Sequence, residues 1–161
     1  MANCGIVYRV QLDSDRSYTF GVDVDELWTA IADIDRYPRL WPWLRRFEAR
    51  GLIAGDSWRC VVRPPLPYSV RFSIDLVEVA GPSHVTATIT GDIKGTARLD
   101  LEPTVDGSTI RLQSTLAPNG WAFGALAILM RPVVNRGHDW VLDTGAAQFA
   151  NSLGVGAANE G

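Results

Sequence analysis

Histidine and cysteine are scarce in this chain, two of each in 161 residues, and the shortage removes much chemistry before any fold is considered. His84 and His138 stand far apart, with no cysteine or carboxylate cluster at ligand spacing, so no metal site is expected. Cys4 and Cys60 lack the close spacing of a zinc or redox motif, and both read as free thiols. Neither a phosphate-cradling glycine loop nor a nucleophile elbow occurs, and no cofactor is expected. Long apolar runs are missing too: the stretch from Trp121 to Met130 falls short of the roughly 18 residues a membrane span requires. At the start, Cys4-Gly5-Ile6-Val7 is followed by Tyr8-Arg9, without the pattern of a secretory signal, so a cytoplasmic protein is expected. An excess of positive charge is also absent. The net charge is −3 and the fourteen arginines are scattered, which argues against a nucleic-acid partner. Arg45-Arg46 with Arg50 reads as a solvated face near a helix end.

What is present is the composition of one ordinary globular domain spanning residues 1–161, 47% hydrophobic and 20% charged. Residues 6–12 and 17–22 alternate at the two-residue period of a strand, with Asp13-Ser14-Asp15-Arg16 as the turn or bulge between them. Asp23 followed by Glu26 is a capping-box pattern, and Val24, Leu27, Trp28 and Ile31 recur at helical spacing, which predicts a short helix from Val24 to Asp33. Pro38 and Pro42 then forbid one regular helix over Tyr37 to Leu44, so this segment is a bent connection or a broken short helix. The strand period returns over 57–63, 69–79, 84–91, 95–102 and 108–116, with short links that imply antiparallel hairpins. Residues 119–153 are helical in character, interrupted at Pro132, and the tail from Gly154 to Gly161 is expected to fray.

The carrying motifs are Val22-Asp23-Val24-Asp25-Glu26-Leu27-Trp28, then Ala32-Asp33-Ile34-Asp35-Arg36-Tyr37-Pro38-Arg39-Leu40-Trp41-Pro42. After them come Gly91-Asp92-Ile93-Lys94-Gly95-Thr96, and Leu101-Glu102-Pro103 with Gly107-Ser108-Thr109-Ile110-Arg111-Leu112. In that order they resemble the START-like (SRPBCC) superfamily, in particular its polyketide cyclase/dehydrase branch, over about residues 17–153. The resemblance implies an α+β helix-grip fold: a curved antiparallel sheet of about seven strands around a long C-terminal helix, holding a small hydrophobic molecule between them. Residues 1–16 lie outside the match, as an added edge strand or a homodimer contact.

Alternation sends Trp58, Cys60, Val62, Val70, Phe72, Ile74, Leu76, Val85, Ala87, Ile89, Ala97, Leu99, Leu101, Ile110, Leu112, Ser114 and Leu116 to the concave face. Arg59, Arg71, Asp75, Arg98, Asp100, Glu102 and Arg111 fall on the other face, where charge pairs ordinarily finish a solvated sheet. On the last helix Val134, His138, Val141, Gly145 and Phe149 form the inward stripe, with Arg136, Asp139, Asp143, Ala146 and Ala150 on the other side. The expected ligand-binding residues are Trp41, Trp43, Trp58, Phe72, Ile74, Ile89, Leu99, Leu112, Trp121, Val134, His138 and Val141. Trp41 and Trp43 are expected either at the mouth, facing the turn from Pro64 to Pro67 with their N–H groups wet, or as a plug in the core beneath the short helix.

Binding or carriage of a lipid, polyketide or aromatic metabolite is the first functional reading. A polyketide cyclase, aromatase or dehydrase is the second, because such chemistry needs a tuned acid or base. The polar candidates for it are His138, Ser114 and Tyr68, with Tyr8 and Tyr18. A protein-interaction module built on the aromatic loop is the third.

Overall fold

The structure is a computed structural model that describes residues 11–65, 68–120, 131–154 and 158–160. Strand β1 (Leu12–Phe20) leads to helix α1 (Val24–Ala32), a 3-10 turn (Ile34–Arg36) and helix α2 (Tyr37–Leu40). Strands β2 (Leu44–Glu48), β3 (Ser57–Val62), β4 (Val70–Ala80), β5 (His84–Gly91), β6 (Ile93–Thr104) and β7 (Gly107–Pro118) follow. Helix α3 (Arg131–Ser152) and a short strand β8 (Ala158–Glu160) complete the described chain. All eight strands form one curved sheet in the order β2-β3-β4-β5-β6-β7-β1-β8, a continuous meander closed by β1. The fold is the expected helix-grip, with one strand more than the seven foreseen.

Local chemistry explains the entry. Asp23 Oδ1 accepts a hydrogen bond from Glu26 N at 2.8 Å, capping α1, whose Leu27 and Ile31 are buried. The chain then breaks as its prolines demand: Pro38 sits in the first turn of α2, where a missing N–H removes no helical bond. Inward rows also follow the alternation, for Trp58, Cys60, Val62, Leu76, Val85, Ala87, Ile89, Leu101, Ile110 and Leu116 are all buried. On β4 the row changes phase at a bulge between Leu76 and Glu78, which turns Val77 out to solvent and Val79 back inward.

Three expectations change. Residues Asp13 to Arg16 are no turn: β1 runs straight through them and pairs with β7 from Leu12 to Phe20. Its period is hidden in the sequence because the inward row begins with polar residues, Ser14 and Arg16, before Tyr18 and Phe20. Arg45 and Arg46 belong to no helix end but to edge strand β2, where a bulge after Leu44 offsets the pairing with β3. Residues 158–160, expected to fray, pair with β1 at Ser17, Tyr18 and Thr19. The earlier part of the expected first strand, including Tyr8, lies outside the described residues, as do Cys4, Leu66 and Pro67.

The outer face behaves as a solvated sheet. Arg59, Arg71, Arg98 and Arg111 are exposed. Arg98 forks onto Asp100 with N···O distances of 2.8–3.0 Å. Arg111 pairs with Asp15 rather than with a neighbour on β6, because β1 lies beside β7 in the sheet.

Candidate functional site

A cavity of about 230 Å³ lies between the sheet and α3. The sheet contributes Tyr18 and Phe20 from β1, Leu99 from β6, and Ile110 and Leu112 from β7. Ile31 of α1 and Tyr37, Trp41 and Trp43 of the broken connection form one side, and Val141, Leu142, Gly145, Ala146 and Phe149 of α3 form the roof. The wall is almost wholly apolar. Aromatic rings dominate it: Trp41 stacks on Trp43 with centroids 5.5 Å apart, and Phe149 meets Phe20 edge-on at 5.9 Å.

Gly145 lets the indoles approach the helix. A Cβ there would lie 3.3 Å from Trp43 Cζ2 and 3.7 Å from Trp41 Nε1. Trp41 Nε1 donates to Gly145 O at 3.0 Å, and Trp43 Nε1 donates to Gln148 Oε1 at the same distance. The two rings are half-buried and tie the connection to α3. Their N–H groups are therefore bonded to the helix and not left wet. The Trp43 carbonyl accepts from Arg63 N at 2.8 Å, which sets the connection's backbone beside the start of the Pro64 turn.

Among the residues expected to meet a ligand, Trp41, Trp43, Leu99, Leu112 and Val141 stand in this wall. Trp58, Phe72 and Ile74 pack instead in a neighbouring cluster with Tyr37, Leu44 and Leu76. Trp58 is held there by Nε1 donating to Gly51 O at 2.9 Å and by edge contacts to Phe47 and Tyr37. Ile89 is buried in the core but away from the wall. Trp121 and the side chain of Val134 lie outside the described residues.

His138 stands on α3 outside the wall, its Nδ1 4.0 Å from Asp139 Oδ1, and burial pushes its pKa down. Ser114 of β7 is half-buried opposite Ser14, away from the cavity. Tyr68, just before β4, is half-buried outside the wall, and burial raises its pKa. The three do not meet.

Tyr18 is a further wall residue with a polar group, and its hydroxyl is bonded to a residue outside the wall. It is 6% exposed, and its Oη donates to Asp143 Oδ1 of α3 at 2.8 Å. Burial, reinforced by the Asp143 carboxylate, raises its pKa. Beside it Arg16 reaches Asp139 at 2.8 Å and Asp143 at 4.0 Å. Helical periodicity alone assigns the two aspartates to the face away from the pocket. They reach β1 because α3 lies within the curve of the sheet, so its flanks as well as its lower face meet strands. The same geometry buries Ala150 completely and places Ala146 in the wall.

A larger depression of about 660 Å³ spreads over Asp15, Thr86, Thr88, Thr96, Arg98 and Gln113 on the outward rows and also takes in Ser14 and Ser114. Its guanidinium is already forked onto Asp100, and it lacks the aromatic wall of the inner cavity, so we take the inner one as the candidate site.

A sheet gripping one helix over an apolar cavity defines a START-like protein. Similar structures agree. A protein from Thermus thermophilus superposes with a TM-score of 0.67 at 14% identity, covering 89% of this chain and 99% of that one. Norcoclaurine synthase from Thalictrum flavum gives 0.63 at 13% identity, with 90% and 87% covered. The di-domain ARO/CYC of the steffimycin biosynthetic pathway gives 0.62 at 15% identity, with 91% of this chain and 53% of that one. At such identities the likeness establishes the fold alone. The sequence itself goes further: this chain belongs to the family described as polyketide cyclase / dehydrase and lipid transport, whose pattern it matches over residues 11–151. None of the curated proteins matches it significantly by sequence. Among the described residues no helix is long and apolar enough to cross a membrane.

Proposed function

We propose that this protein binds a small hydrophobic molecule, of one or two rings, in the cavity between β1, β6, β7 and α3. The carrying observation is an apolar, aromatic wall around about 230 Å³, just below the roughly 300–1,000 Å³ of drug-sized ligand pockets and so suited to a smaller molecule. Flat rings suit it because the stacked pair Trp41 and Trp43 and the ring of Phe149 line it. The interaction-module reading needs Trp41 and Trp43 as an exposed patch, whereas both rings are half-buried and bonded to α3. A nucleic-acid partner remains disfavoured by the charge of −3.

The reading is tested by titrating a panel of one- and two-ring aromatics while following amide signals by NMR. Shifts should concentrate at Trp41, Trp43, Val141 and Gly145. If no member of the panel moves these signals, or if the shifts fall on the outer face, the proposal fails.

A cyclase or dehydrase reading draws on one specific feature, the Tyr18–Asp143 hydrogen bond at the cavity wall. The Tyr18 phenol belongs to the wall and the Asp143 carboxylate lies one hydrogen bond behind it, a pairing that proton transfer would use. Turnover lost in both Tyr18→Phe and Asp143→Asn, with ligand affinity retained, would favour catalysis over carriage.

A further inference from the structure

Polar atoms in the cavity wall are few, and most are engaged elsewhere. Tyr37 Oη donates to Ile31 O at 2.5 Å, against the end of α1, and the two indole N–H groups donate to Gly145 O and Gln148 Oε1. Tyr18 differs from these three in donating to a carboxylate that reaches solvent, Asp143 at 47% side-chain exposure. With its proton directed at Asp143, the Tyr18 oxygen keeps its lone pairs for a second partner, and donation to a carboxylate makes it a better acceptor.

On that basis, and resting on the cavity reading above, we propose that Tyr18 and Asp143 are the specificity-determining pair of the site. They select a neutral ligand whose polar end donates a hydrogen bond, a hydroxyl or N–H, and they reject an anionic end.

The surrounding charges support the sign of this choice. Arg16 is the cation of the cluster, and it is bound to Asp139 at 2.8 Å with Asp143 at 4.0 Å, so one positive group faces two negative ones. His138 adds no charge near neutral pH, because burial holds its pKa down. A ligand carboxylate at this rim would meet the Asp143 carboxylate, whose nearest cation, Arg16, is closer to Asp139. A ligand hydroxyl would find an acceptor where a methyl group would leave Tyr18 with its single bond.

The test uses three probes of one shape at pH 7: 2-naphthol, 2-methylnaphthalene and 2-naphthoate. Removing one hydrogen-bond partner in a dry site corresponds to about a tenfold loss of affinity. Tyr18→Phe is therefore expected to weaken 2-naphthol by about tenfold while changing 2-methylnaphthalene by less than about threefold. In the unmodified protein 2-naphthoate should bind at least about tenfold more weakly than 2-naphthol, and Asp143→Asn should narrow that gap. Equal weakening of both neutral probes by Tyr18→Phe, or naphthoate binding as tight as naphthol, overturns the proposal. Should Tyr18→Phe fail to fold by circular dichroism, the comparison of naphthoate with naphthol in the unmodified and Asp143→Asn proteins decides it alone. Failure of both neutral probes to bind the unmodified protein overturns the cavity reading itself and this proposal with it, a result distinct from loss of discrimination alone.

Discussion

Replacing Gly145 by alanine should make the protein slightly more stable and a worse binder. Gly145 lies within α3, and glycine at a helix interior costs about 1 kcal/mol relative to alanine, which the substitution recovers. Against this stands the new methyl group, 3.3 Å from Trp43 Cζ2 and 3.7–3.8 Å from the next two ring atoms. One of these contacts is tight. Trp43 borders the cavity, so the ring has room to retreat, and the penalty stays well under the roughly 1–3 kcal/mol of overpacking a dense core. A net gain of about 0.5 kcal/mol remains, which for a domain of this size raises Tm by about 1–2 °C. The retreat of Trp43 and the methyl group both take up cavity volume, so affinity for a two-ring ligand should fall. Thermal melts by circular dichroism and titration with naphthalene read the two effects separately. A fall in Tm of more than about 2 °C would show that Trp43 is wedged against α3 and that the estimate of its freedom is wrong. Unchanged affinity would place the ligand away from Gly145.

Other outcomes follow from burial and charge. Leu27→Ala empties a fully buried site on α1 and should cost about 2–5 kcal/mol in urea unfolding. Ser108→Ala removes the donor that the Val22 carbonyl accepts at 2.7 Å in a fully buried position, so a loss of about 1–3 kcal/mol is expected. Burial pushes the Cys60 thiol up to about 12, so in a Cys4→Ser variant it should resist thiol reagents at pH 8 until the chain unfolds. The raised value also means that the folded state holds this proton more tightly, so its contribution is intact below about pH 9 and fades as pH rises towards 12. His138 has the opposite sign: its lowered pKa gives a contribution present above about pH 6.5 and lost on acidification, and His138→Gln should flatten the drop in unfolding free energy between pH 7 and 5. An equal drop in both proteins would assign acid sensitivity to other groups.

Strand and helix periods by themselves determined the meander, the capped helix after β1, the broken Tyr37-Pro38 connection and the division of the sheet into an apolar and a charged face. Each depends on neighbours within a few residues: a capping aspartate, a proline without its N–H, an alternation of two. Two local readings failed where polar residues interrupted a period. β1 is cut at Ser14 and Arg16, and the inward position of Arg16 makes sense only once the α3 carboxylates meet it, while β2 is obscured by Arg45 and Arg46 beside a bulge.

The site itself was partly legible. Alternation says which face a side chain takes, and Leu99 and Leu112 were placed by it, but it does not say how far along the strand the helix crosses. Trp58, Phe72, Ile74 and Ile89 share the inner face with Leu99 yet stand outside the cavity wall, and the first three pack in a cluster with Tyr37 of α2, Leu44 and Phe47 of β2 and Val141 of α3. The Tyr18–Asp143 pair, 125 residues apart in the chain, had no local signal at all. Which faces are apolar was thus a property of the sequence by itself. Which apolar residues enclose space, and which tyrosine meets a carboxylate there, was decided by the tertiary structure, because both depend on where a distant helix comes to rest across the strands.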